Sequence, residues 1–223
     1  MKLIKRNWWK GLCVILLSYA YTAGLLTPVP RLAILNESIR NLYFHVPMWF
    51  GMTLMLIVSF VASIRYLSKS KPGDDFLAVE SANTGMLYGT LGILTGMIWA
   101  KFTWGQPWPA DPKLNSAAVG MLLYCAYFVL RSSITDDQQR ARVSAIYNIF
   151  AFPAFLALIY IIPRLTDSLH PGNGGNPGFN SYDRDRNMNV IFYSANIGVI
   201  LLAVWITSLR VRLRKVEDHL NQN

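Results

Sequence analysis

The sequence is poor in charge. Only 15% of its 223 residues are Asp, Glu, Lys or Arg, and 53% are hydrophobic. A soluble domain carries about 25% charged residues. No polar stretch is long enough for a water-facing domain, the longest running over about 164–188. Cysteine is scarce as well. Cys13 and Cys125 fall inside apolar runs and form neither C-x-x-C nor C-x-x-C-H. That sets aside thioredoxin-like chemistry and covalent cofactor attachment to this chain. There is no G-x-S-x-G, H-E-x-x-H or Walker A sequence, so a hydrolase or an ATPase of those kinds has no support. The net charge is +9, but no Lys/Arg cluster with interleaved aromatics marks a soluble nucleic-acid face, so no nucleic acid is expected as a partner.

What the chain does have is apolar blocks of spanning length. Six can be marked, at roughly 8–28, 47–67, 80–100, 115–131, 142–163 and 189–209. Each is close to the roughly 20 residues that cross a hydrocarbon core as a helix, and lipid leaves no open backbone group unpaired. The expectation is an all-α membrane protein, one six-transmembrane-helix bundle over residues 1–223. The first segment also has the form of a signal peptide, with cleavage conceivable after Ala23. Trp8 and Trp9 at its start suit an interfacial anchor, which favours a retained helix.

Of the 21 Lys and Arg residues, fourteen fall at the two termini and in the second–third and fourth–fifth connections; seven fall on the other side. The positive-inside rule then puts both termini in the cytoplasm of a cell with a cytoplasmic (inner) membrane. The tryptophan-rich loop 101–114 faces outward, towards the periplasm.

The middle third of every span lacks Asp, Glu, Lys, Arg and His. Ion-coupled carriers usually carry such groups despite their desolvation cost, so that class is disfavoured, as is a mid-membrane dihaem cytochrome. Gly85, Gly89, Gly92 and Gly96 keep to one face of the third helix. Such a face admits close helix packing or, as the other reading, a flat ligand. Pro153 is expected to kink the fifth helix.

The outward side collects the chemistry. His45 comes just before the second span and His170 just after the fifth, while His219 is in the tail. Two neutral imidazoles at one depth can ligate haem iron from its two faces. Trp104 and Trp108 offer apolar area for a porphyrin, or serve as headgroup anchors. Arg40 and Arg164 stand five and six residues before the two histidines; each can meet a propionate, or snorkel to headgroups. Asp167 lies three residues before His170 and can complete a metal site or orient its ring. Asp111 before Pro112 reads as the N-cap of the fourth helix. "DRDRN" at 183–187 reads as a docking surface or a solvated start to the sixth.

"WGQPWPAD" at 104–111 resembles the tryptophan-rich WWD signature of haem-handling membrane proteins. Trp104, Gly105, Trp108 and Asp111 match; Pro107 and Ala110 stand where the signature has tryptophan. "HVP" at 45–47 resembles the family's first outer histidine and "SLH" at 168–170 its second. In helix count and length the chain resembles the haem exporter protein C (CcmC) family of cytochrome c maturation. The larger CcmF- and CcsA-type proteins share the WWD loop. The resemblance implies a transport component rather than an enzyme. It would hold haem b without a covalent bond, with His45 and His170 as axial ligands and Trp104, Trp108 and Asp111 as platform. It would pass haem to the chaperone CcmE, alongside the ABC-type subunits CcmA and CcmB and the small CcmD. Two other readings stay open. One is a permease-like ABC subunit for a non-haem substrate; the other is a membrane enzyme using an outward His/Asp pair.

Overall fold

The computed structural model describes residues 7–32, 34–170 and 184–221. Lys2, Lys5, Arg6, Asp183 and the Gly/Asn-rich stretch 171–181 lie outside the described residues. Within them the chain is helical, with no strand. Six α-helices follow one another: α1 Trp8–Leu26, α2 Leu42–Lys69, α3 Pro72–Trp104, α4 Pro112–Ser132, α5 Asp137–Leu156 and α6 Arg186–Asn221.

Among the described residues, five helical stretches are long and apolar enough to cross a membrane. They are α1, α2 with the turn ahead of it, α4, α5 with its continuation, and α6. The exception is α3, whose glycines, threonines and Asn83 dilute its apolar run. The helices overrun the expected spans at several ends. α2 begins five residues earlier than expected, α3 eight residues earlier, and α6 continues to Asn221. A helix ends where its caps and contacts end, not where hydrocarbon ends.

α2 and α3 pack closely because α3 offers glycine where α2 offers bulk. A Cβ on Gly85 would lie 2.9 Å from Leu56 Cδ2, and one on Gly89 2.7 Å from Met52 Sδ. Such small-residue faces let helix backbones approach. Met52, Leu56, Tyr88, Tyr124, Phe155 and Val199 form the buried centre. Polar clamps tie the end away from the tryptophan loop 101–114. Arg131 forks onto Asp75 at 2.8 and 2.6 Å, and Arg210 holds Glu80 at 2.7 Å. Asn148 of α5 donates to Ser59 and Ser63 of α2.

Pro153 cannot donate a backbone hydrogen bond within α5. One turn later the chain leaves α geometry. A π-turn covers Ala157–Ile161 and a 3-10 turn Ile162–Arg164. A π-turn inserts one residue per turn, which re-aims the side chains beyond it.

Candidate functional site

His45 is not ahead of its helix, as the sequence suggested. A 3-10 turn, Asn36–Asn41, runs without a break into α2, so His45 stands in that helix's first turn. Its Nδ1 lies 2.9 Å from the Gly92 carbonyl oxygen and 3.2 Å from Thr95 Oγ1. A carbonyl only accepts, so Nδ1–H donates and Nε2 keeps the lone pair. Trp49 and Trp99 stand edge-on to the ring, with centroids 6.2 and 5.8 Å away.

Gly96 makes room for this ring. A Cβ there would lie 2.7 Å from His45 Cε1, whereas one on Gly11 would meet nothing within 4 Å. Gly96→Ala is therefore expected to displace the imidazole and weaken any ligand it holds by about tenfold. Gly11→Ala should change ligand titration and thermal unfolding little. Equal effects at the two positions would rule out a seat for His45.

His170 is organised by Asp111, which is 1% exposed. Asp111 caps α4 as expected: its Oδ1 accepts the N–H groups of Lys113 at 2.9 Å and Leu114 at 3.3 Å. The same carboxylate also gathers the loop after α5. Oδ2 accepts the Leu169 N–H at 2.7 Å and the Ser168 hydroxyl at 2.9 Å. Oδ1 takes His170 Nδ1–H at 3.2 Å. Asp167, the partner the sequence suggested for His170, is exposed; Asp111 takes that place. Burial alone would raise the Asp111 pKa, but the Leu169 and Ser168 donors and nearby His170 outweigh it and hold it below the ordinary value. Burial, with Lys113 adding to it, pushes His170 down to about 4 against the pull of Asp111. The ring is therefore neutral at pH 7 and keeps its Nε2 lone pair.

Trp104 stacks edge-on to His170 at 4.9 Å. Trp108 donates its indole N–H to Asn115 Oδ1 at 3.2 Å. Both histidines, Trp49, Trp99, Trp104 and Trp108 line one cavity of about 430 Å³, within the size range of small-molecule sites. Lys113, Arg164 and Arg184 bring positive charge to its wall.

Arg40 is not among the lining residues. It is engaged with the carbonyls of Gly24 and Thr27 at 2.7 Å each and with Glu37 at 2.7 Å. It thereby ties the end of α1 to the turn that leads into His45. Asp185, from the "DRDRN" stretch, accepts the Met188 N–H at 2.7 Å and caps the start of α6. Among the described residues, no three His, Cys, Asp or Glu side chains are grouped to hold a bare metal ion.

Sequence reasoning found the two histidines, the loop tryptophans and Asp111. It missed Trp49, Trp99 and Lys113. Trp49 is four residues after His45 and so on its helical face. Trp99 three residues after Gly96 carries the same signal on α3.

A family model described as "Heme exporter protein C" matches residues 2–223. A Heme exporter protein C of Bradyrhizobium diazoefficiens is 27% identical over 143 residues, covering 64% of this chain and 53% of that protein. One of Haemophilus influenzae is 23% identical over 193 residues, covering 82% and 74%. A cytochrome c biogenesis protein CcsA of Prochlorococcus marinus is 35% identical over 83 residues, covering 37% and 26%. The chain thus matches about half of the Bradyrhizobium protein and about a quarter of the CcsA protein.

Proposed function

Because the chain belongs to the haem exporter protein C family, we propose that its cargo is haem b, held without a covalent bond between His45 and His170. One observation carries this reading. Two histidines share one cavity, and each gives its Nδ1–H to a fixed acceptor, which leaves Nε2 for iron. A ligating histidine usually donates its other ring nitrogen to a carbonyl or carboxylate in this way. The chemistry of the wall also suits the cargo, with aromatic area for the macrocycle and Lys113 and Arg164 for its carboxylates. Arg40 acts on the cargo only through the position of His45.

In this reading all six helices span, both termini are cytoplasmic, and the cavity opens at the outer face of the cytoplasmic membrane. The chain is a carrier rather than an enzyme. It hands haem to a CcmE-type chaperone in company with CcmA, CcmB and CcmD. Trp104, against His170, and Trp108, held by Asn115, form the surface on which that transfer takes place.

The test is the absorption spectrum of detergent-purified protein given haem. A low-spin, six-coordinate spectrum with one haem per chain is the expected result. A high-spin spectrum that the wild type shares with a His45→Ala, His170→Ala double variant would sink the ligand assignment.

A further inference from the structure

The cavity has a side wall as well as an outward rim. That wall lies between α2 and the π-turn and is apolar. Phe50 belongs to it and is 42% exposed; Ile34, which also lines the cavity, is 68% exposed. Phe50 is eight residues into α2, about 12 Å along the helix axis, and so within the outer half of a hydrocarbon core about 30 Å thick. One polar contact crosses the wall. Thr53 Oγ1 of α2 and the Tyr160 hydroxyl of the π-turn share a hydrogen bond of 2.8 Å. Tyr160 lines the cavity, whereas Thr53, one turn deeper than Phe50, does not.

From this we infer that the cavity loads sideways, from the outer leaflet, through a gate between α2 and the π-turn that the Thr53–Tyr160 bond latches. The inference rests on the haem-cargo reading and adds the source of the cargo. The macrocycle of haem is flat and apolar, and a wall that includes Ile34 and Phe50 presents that part of it no desolvation barrier, while its carboxylates stay at the headgroup end. The outward rim, by contrast, carries the tryptophan loop and the cations. The latch sits on the segment built to move. Around the π-turn the backbone pairs five residues apart, a looser ladder than the α-helix before it. Swinging Tyr160 breaks one side-chain bond and no α-helical pair.

The experiment follows haem loading of the purified protein in lipid nanodiscs by stopped-flow absorbance. One arm presents haem in phosphatidylcholine vesicles and the other presents it on albumin in solution. Thr53→Val keeps the shape and removes the latch. Vesicle loading is expected to quicken roughly two- to tenfold, the value of one hydrogen bond in rate, with final occupancy unchanged and albumin loading unaltered. A second variant carries Thr53→Cys and Tyr160→Cys with exposed Cys125→Ser. Bridged by a cleavable bifunctional thiol reagent, it should stop loading from vesicles and resume when cleaved. Vesicle loading at the wild-type rate in the bridged form would overturn the gate, as would acceleration of both arms alike by Thr53→Val. Failure of the wild type to take up haem from either source would strike the cargo reading itself.

Discussion

His170→Ala is expected to cost haem affinity on the order of 100-fold and to turn a six-coordinate low-spin spectrum into a five-coordinate high-spin one. The basis is the donor set. Loss of a partner behind a metal ligand costs 10–100-fold, so loss of the ligand itself sits at or beyond that upper end. The mutation leaves the fold in place. His170 lies on a loop outside every helix, and Asp111 keeps its bonds to Ser168, Leu169, Lys113 and Leu114. Added imidazole should restore the low-spin bands in the space the ring vacated. His45→Ala should lose the same bands with less rescue, because that ring is walled in by Gly96, Trp49 and Trp99. Wild-type spectra from both variants would end the bis-histidine reading.

The second large effect is at Asp111. Asp111→Ala removes a helix cap, worth roughly 0.5–2 kcal/mol, and with it the anchors of Ser168, Leu169 and His170. Thermal stability and haem affinity should both fall, the latter by about 10–100-fold. Asp111→Ser separates the two roles. A serine caps a helix nearly as well as aspartate but is too short to gather the 168–170 loop. Its stability is therefore expected to recover while haem affinity stays low. Recovery of both would make Asp111 a cap alone.

The sequence made much of this visible, and the reasons are physical. Hydropathy in long blocks announces helices, and Asp-Pro announces a cap. Histidines at block edges are conspicuous in a chain with three. What stayed hidden was pairing across the fold. Nothing in "TDSLH" says that its histidine turns to an aspartate 59 positions back rather than to its neighbour Asp167. The glycine face on α3 was legible as a face, but its double use was not. Gly85 and Gly89 admit α2, while Gly92 and Gly96 admit Trp49 and His45. Apolar blocks do not mark helix ends, because caps and packing carry α2, α3 and α6 past them. The π-turn had only Pro153 to signal it, and proline foretells a break without its form.

The two rings are fastened by unlike means. His45 is built into a helix and leans on a backbone carbonyl; His170 stands on a loop that one carboxylate gathers through Ser168, Leu169 and the ring itself. In the proposed reading the chain is a carrier that must let go, and letting go would have a direction. If haem is held as proposed, lifting the loop from Asp111 would be enough for the iron to lose one of its two holds, with the helix side unmoved. Capture and surrender then differ by a single joint, and that joint stands beside Trp104, where a recipient would arrive.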